Sequence, residues 1–391
     1  MRKLVKEITR TLQWQYAETD WVTNEGLRIQ QIPAPTFHEQ ARTAYIEQRF
    51  ADLGLTAIET DGQGNVYGVR RGTYADLPAV MISAHLDTVF DAETDLKLRH
   101  ESGLIYGPGL GDNSMGVAGM LGAARHLHTH HITPDCDIWF VATTCEEGLG
   151  DLKGMRHAFR RLQEQVSAVI NLEGLAFGHV FHAGIAVHRL HITAKAEGGH
   201  SWVHFGRPSA VHAIMQLGAK ITRMHYPMNP RTTYNIGMLE GGQAINAIAT
   251  SAGLWLDLRS EDQYELEKIR QQVYATMQAL NQNGLTFHAE VVGSRPAGRI
   301  SPRHALVQGA LAALAAIDVR GTLETGSTDG NIPLAEDCPT VTIGITRGGN
   351  AHRLDEYIET KYVHDGMRQL MSLLLATCQY HHATYYKVAG D

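Results

Sequence analysis

Two acids, Glu146 and Glu147, stand side by side just past the apolar run 138–142. Adjacent carboxylates disfavour each other's ionised forms, and a carboxylate beside a core needs a partner. Residues of related chemistry follow other apolar runs. His85 and Asp87 come after 79–83, Glu173 directly after 169–172, and His352 soon after 341–345, while Asp112 ends the glycine-rich loop 107–111. Imidazole nitrogen and carboxylate oxygen are donors that zinc accepts, usually in a four-coordinate site that keeps a water when it is catalytic. Two histidines and several carboxylates can hold two ions about 3.5–4 Å apart, with one carboxylate shared. Two dications also resolve the paired acids, because strong positive charge keeps clustered carboxylates ionised. Neighbours at a strand end project in different directions. Glu147 can therefore turn toward a metal while Glu146 faces the reacting water and exchanges its proton.

The elements that must position these residues read as an α/β rhythm. Short apolar runs alternate with helical segments, which implies a mostly parallel sheet covered by helices. In such sheets ligands bind beyond the carboxyl ends of the strands, where each of these polar clusters falls. The loop before Asp112 leads into a helix with Val117, Met120, Leu121, Ala124 and Leu127 on one face at helical spacing. Upstream, residues 22–58 read as two helices broken at Ile32-Pro33-Ala34-Pro35, and the first 21 residues read as an amphipathic helix. Between Glu173 and His352, residues 184–292 show alternating strand patterns and two helices, near 209–225 and 262–281. They are expected to form an inserted α+β domain with one antiparallel sheet, splitting the catalytic domain into 1–183 and 293–391.

Composition narrows the function classes. The 391 residues allow about two or three domains, and 43% hydrophobic with 19% charged residues is ordinary for a globular protein. With 34 basic and 41 acidic residues the formal charge is −7, which argues against a nucleic-acid or anionic-membrane surface. No run of about 18 apolar residues suggests a membrane span, and the charged N-terminal stretch lacks a signal peptide's apolar core. A cytoplasmic location is the expectation. The four cysteines are widely spaced, without a C-x-x-C pair, and read as free thiols.

At these residues the chain resembles the co-catalytic dinuclear zinc peptidase family of peptidase T, glutamate carboxypeptidase, aminoacylase and succinyl-diaminopimelate desuccinylase. The matching stretches are SAHLDTV (83–89), GLGDNSMGVAGML (109–121), TTCEEGLGDLKG (143–154), NLEG (171–174) and GGNAHRLDEYI (348–358). Weaker matches are IPAPTFHE (32–39) and GSTDGN (326–331), and the set runs in order across nearly the whole chain. The resemblance implies that Asp112 bridges two metals, that His85 and Glu173 complete one site, and that Glu147 and His352 complete the other. It implies that Asp87 orients His85 and that Glu146 is the general base and acid. It further implies that the inserted domain dimerises and lends a histidine, here His200 in EGGHSW, to the active site of the partner subunit, where it steadies the tetrahedral oxyanion. Trp202 departs from the small residue usual after the His-Ser pair. Asn246 and Arg259 resemble substrate-contacting residues, and an arginine suits a substrate carboxylate.

Blander readings compete with these. Most of the 22 histidines cannot be ligands: His128, His130 and His131 suit a helix C-terminus, and His381 and His382 read as surface residues of the last helix. Asp112 alone is an acceptable helix N-cap, Glu173 a surface acid, and Asp329 a loop-shaping residue. Cys145 lies beside two acids, which raise rather than lower a thiol pKa, so it is no nucleophile. Ser327 lacks a G-x-S-x-G elbow. The expectation is therefore a dinuclear hydrolase, with zinc by default and cobalt or manganese as alternatives. A metal-bound hydroxide would cleave an amide bond in a small peptide or N-acyl amino acid. An aminopeptidase for di- and tripeptides and a carboxypeptidase or deacylase both stay open, and a catalytically silent peptide-binding relative is the remote alternative.

Overall fold

The computed structural model of the protein describes residues 1–388. Its chain divides into two compact units: one comprises Met1–Gly184 and the chain from Gly298 onward, the other Ile185–Ala297. The expected boundary at 292 falls inside a strand, Leu285–Arg295, which stays paired with the insertion's long strand as far as Arg295 opposite Val187.

The first unit is built on a nine-stranded sheet. Its centre is four mutually parallel strands in the order Ile138–Thr143, Ala79–His85, Val166–Leu172 and Thr340–Ile343. Alternation along these strands divides their side chains between the two faces. Val80, Ile82 and Ala84 join Phe140, Ile170 and Ile343 in one apolar cluster, whereas Ala79 and Met81 join Val141 and Val169 in another. The first cluster packs against Val22 and Ile29 of helix Tyr16–Gln30, against helix Gly116–Thr129 and against Leu370 and Leu374 of the last helix. The second is covered by Met155, Phe159 and Leu162 of helix Lys153–Leu162. Burial on both faces is why these strands are continuously apolar rather than alternating. All seven residues of Ala79–His85 are buried, His85 included.

Three features depart from the sequence reading. The N-terminal stretch forms two helices, Arg2–Thr11 and Tyr16–Gln30, instead of one. The chain breaks where Trp14 enters the core with its indole N–H on Thr19 Oγ1, and Glu18 accepts the Gln15 backbone N–H to cap the second helix. Helix Gly116–Thr129 is buried on nearly every side through Leu127, not on one face. Its glycines make this possible: a Cβ at Gly119 would meet Ile345 Cδ1 at 2.4 Å, and one at Gly122 would meet Val22 Cγ2 at 2.5 Å. Finally, His352 does not follow the parallel strand directly. Strand Arg347–Gly349 comes between them and pairs with Tyr357–Glu359, which continues through Leu104–Tyr106 to Arg99–Glu101 as a small antiparallel sheet flanking the Asp112 loop.

The insertion is a four-stranded antiparallel sheet in the order Thr232–Gly241, Ser251–Ser260, Ala186–Ala196 and Leu285–Arg295. Helices Ala210–Ile221 and Gln263–Leu280 bury Ile214, Leu217, Ile269 and Val273 against Leu190, Ile192, Leu254 and Leu256. Asp262 starts the second helix by accepting the N–H groups of Tyr264 and Glu265.

One backbone crossing governs the edge where the polar residues emerge. After Thr340–Ile343 the chain runs against 173–177, with Glu173 N–H on Ile343 O and Ile345 and Thr346 N–H on Gly174 O. A Cβ at Gly344 would lie 2.0 Å from Phe177 N and 2.1 Å from Ala176 C. Gly344→Ala should therefore destabilise the protein by about 1–3 kcal/mol, the usual cost of overpacking. Urea unfolding checks this, and an unmoved midpoint would contradict the crossing.

Candidate metal centre

Each polar residue of the site arrives from a different backbone device. His85 is the last residue of its strand. Asp87 follows two residues later with its carboxylate wholly buried: Oδ1 accepts the N–H of Glu146 at 2.9 Å, and Oδ2 accepts the N–H of Glu147 at 2.9 Å and the Thr36 hydroxyl at 2.9 Å. The adjacent glutamates are thus anchored through their backbone by a third acid. Cys145 just before them takes a left-handed conformation, φ +54°, and donates its N–H to Glu39 Oε1. That kink turns the chain out of the strand just before the two glutamates.

Asp112 is held from behind. The buried Glu356 carboxylate accepts the N–H groups of Gly109, Gly111 and Asp112 at 3.0, 2.6 and 2.9 Å. Asn113 then ties this loop to the one carrying Glu173: its amide donates to Leu172 O at 2.8 Å, and its Oδ1 accepts the Gly174 N–H at 2.9 Å. His352 stands in a left-handed turn, φ +66°.

The side chains converge. Asp112 Oδ1 lies 3.1 Å from His85 Nε2, and Asp112 Oδ2 lies 3.1 Å from His352 Nε2. Glu173 Oε2 is 3.6 Å from His85 Nε2, and Glu147 Oε1 is 3.0 Å from His352 Nε2. On the far side of the ring, His85 Nδ1 is 3.0 Å from the Asp87 carbonyl and 3.5 Å from its carboxylate. Donor atoms of His85, Asp112 and Glu173 fall within 4.8 Å of one another, as do those of Asp112, Glu147 and His352, and those of His85, Glu146 and Glu147. Ligand atoms about 2.0–2.1 Å from a tetrahedral ion are about 3.3 Å apart, so these spacings fit two such ions sharing Asp112.

Electrostatics follow from that crowding. Burial alone would depress the His85 imidazole, but Asp112, Asp87 and Glu173 outweigh it and hold it well above the usual range. His352 is pushed up to about 10 by hydrogen bonds to Asp112 and Glu147. Burial raises Asp112, yet the two histidines pull it far below the ordinary carboxylate range. Glu173 is lifted by burial, and Glu356 rises to about 7 for the same reason. Protons on the two imidazoles thus supply the positive charge that these acids need when no cation does. A buried arginine adds to it: Arg42 donates to Ile32 O and Leu86 O, and burial lowers it to about 10 against the pull of Asp87 and Glu356.

Other singled-out residues lie elsewhere. Asp329 is fully buried, with Thr143 Oγ1 donating to its Oδ2 at 2.5 Å, and burial lifts it to about 7. Cys145 is pushed up to about 12, chiefly by burial. His381 and His382 are half-buried rather than surface residues, meeting Ser167 and Asp135. His200, Asn246 and Arg259 belong to the insertion. Strand Gly199–His200 pairs with Ala247–Ile248, and Ser201 N–H donates to Asn246 O, so His200 and Asn246 share one corner. His200 Nδ1 accepts the Trp202 N–H at 3.2 Å. Arg259 lies on the strand Ser251–Ser260 with its Nε on Asp257 at 2.7 Å. Sequence reasoning passed over Glu356, Asn113, Thr36 and Arg42. Glu356, Asn113 and Thr36 fall inside the matching stretches 348–358, 109–121 and 32–39 without a role assigned there, and Arg42 lies just past the last of these.

Comparison with known proteins agrees with this architecture. The chain is 26% identical over 348 residues to a succinyl-diaminopimelate desuccinylase of Corynebacterium glutamicum, covering 86% of this chain and 92% of that one. Its fold is shared with a tripeptidase of Staphylococcus aureus, at 22% identity and a TM-score of 0.77, over 92% of this chain and 99% of the other. A dinuclear metal-binding peptidase of Bacillus subtilis matches with a TM-score of 0.70 at 15% identity, over 93% and 99% of the two chains. The profile of Peptidase family M20/M25/M40 matches residues 81–376, and the protein belongs to that family.

Proposed function

We propose that this hydrolase cleaves the amide bond of a small peptide or an N-acyl amino acid at a dinuclear centre. His85, Asp112 and Glu173 would hold one ion, and Asp112, Glu147 and His352 the other. The observation that carries the reading is Asp112, whose two oxygens each stand 3.1 Å from a different histidine. Bound there, two divalent ions, zinc by default with cobalt or manganese as alternatives, would polarise the scissile carbonyl and activate water.

The chain's own groups do the rest. Asp87 fixes the backbone of both glutamates, leaving Glu147 for a metal and Glu146 for proton transfer. Glu146 takes a proton from the attacking water and returns it to the leaving amine. Asp87 also stands behind His85, where it orients the ring. His200 would donate to the oxyanion: with Nδ1 accepting from Trp202, its neutral form carries the proton on Nε2. Asn246 and Arg259 would contact substrate, Arg259 through a carboxylate once released from Asp257.

A homodimer through the insertion is part of the proposal. Strand Thr232–Gly241 is an edge of its sheet with Met238 and Leu239 exposed, and Met215 is exposed on helix Ala210–Ile221. A cytoplasmic location accords with four buried, free cysteines. Among the described residues no helix is long and apolar enough to cross a membrane. Peptidase and deacylase readings both suit the site, and a panel of di- and tripeptides against N-acyl amino acids separates them.

Three outcomes test the proposal. Glu146→Gln should keep its metal content while kcat falls by about 10²–10⁴-fold, the worth of a placed proton-transfer group; wild-type turnover would remove Glu146 from that role. His200→Ala should lower kcat with the melting temperature unchanged, and an unaltered rate would dismiss it. The third concerns protons. A folded-state pKa of about 10 for His352 lies above the unfolded value of about 6.5. Its stabilising contribution to the metal-free protein is therefore complete below about 6.5 and fades as pH climbs through about 10. A ligand imidazole must be neutral, so metal uptake near pH 7.5 should release at least about one proton and tighten as pH rises. Calorimetry in buffers of different ionisation enthalpy counts the protons; a count of zero contradicts the assignment.

A further inference from the structure

A second group of metal-capable side chains lies at the other end of helix Gly116–Thr129 from Asp112. His126 is in its last turn and His130 is its C-cap. Spaced i, i+4, they share one face, with ring centroids 4.3 Å apart. Glu18, from the first turn of helix Tyr16–Gln30, meets them both. Its Oε2 is engaged by the Gln15 N–H, leaving Oε1 2.7 Å from His126 Nδ1 and 3.4 Å from His130 Nε2. One donor atom from each of the three residues falls within 4.8 Å of the others.

We propose that Glu18, His126 and His130 form a third metal site, selective for a zinc-like divalent ion, that clamps the start of one helix to the end of the other. Two imidazoles and one carboxylate are a donor set that zinc takes in tetrahedral sites. A simple buried ion pair would need only Glu18 and His126; the second imidazole on the same oxygen makes a three-donor concavity. Burial is graded in a way that suits an ion. The side chains of Glu18 and His126 are 8% and 2% exposed, while that of His130 is 30% exposed. The open side provides an entry path and a position for a water as fourth ligand. The inner wall is fixed by Trp14, whose ring lies 5.2 Å from that of His126 and whose N–H is held by Thr19. At 14 residues the helix is about 20 Å long, so this site is separate from the dinuclear centre.

Zinc stoichiometry decides the matter without reference to activity. The full-length protein is stripped with a chelator and titrated with zinc against a chromophoric competitor that outbids isolated surface histidines. Wild type should take up three equivalents per chain, and both His130→Ala and Glu18→Gln should take up one fewer. His130→Ala alters a partly exposed side chain, and circular dichroism confirms that each variant is folded. The double variant His85→Ala/His352→Ala should retain one equivalent, and zinc should raise its melting temperature. If the dinuclear reading is wrong and this one right, wild type binds a single equivalent that His130→Ala removes. Equal uptake by wild type and both Glu18 and His130 variants overturns the third site, as does a double variant that zinc neither binds nor stabilises.

Discussion

The structure turns on concentrated negative charge at one edge of a parallel sheet. Asp112 and Glu147 are brought within hydrogen-bond range of two imidazoles and Glu173 within 3.6 Å of one, with Glu146 beside them and Asp87 beneath. Such a cluster repels itself in a region of low dielectric and survives only with matching positive charge. Protonated His85 and His352 supply that charge in the ion-free protein, and two dications held there would supply more of it. Proton uptake and metal uptake are alternative answers to the same repulsion.

Geometry is enforced by acids that touch no ligand position. Glu356 collects three N–H groups of the 109–112 loop, and Asp87 collects those of both glutamates. A buried carboxylate that accepts several N–H groups is satisfied and rigid, and the loop that donates them is rigid too. Close backbone approaches complete the frame. Gly174 passes so near Gly111 that a Cβ would lie 2.1 Å from its carbonyl oxygen, and Gly116 lies equally close to the Asn113 side chain. The loops bearing Asp112 and Glu173 are thereby locked together, which fixes the spacing of the two carboxylates.

The long helix beginning at Gly116 connects this frame to the core. Its glycines let Val22 and Ile345 press against its backbone, so the Asp112 loop rests on a helix buried on almost all sides. The Glu18, His126 and His130 group holds the far end of the same helix. In the insertion, by contrast, the sheet packs both helices on one face, and the opposite face presents His191 stacked on Trp255 and the Arg189–Asp257–Arg259 ladder.

Much of this was legible in the sequence because it is local. Apolar runs near 79–83, 138–142 and 169–172 announce buried parallel strands, since a strand covered on both faces has no polar side. Histidine and carboxylate types at their ends announce cation chemistry, because few other constellations concentrate those donors. Two amphipathic patterns in 184–292 likewise announce the insertion's helices. What the sequence does not contain is who touches whom. Asp112 shares its two oxygens between residues 27 positions before and 240 positions after it. Glu356 reaches Asp112 across 244 positions. His352 arrives through a small sheet whose three-residue strands are too short to carry a periodic signal. The break at Leu12–Gln15, the all-round burial of a helix that reads as one-sided, and the pairing of Glu18 with two histidines more than 100 positions away all depend on packing partners. Residue type and periodicity are properties of short segments, whereas bridging, backing and capping are made by atoms that only the folded chain brings together.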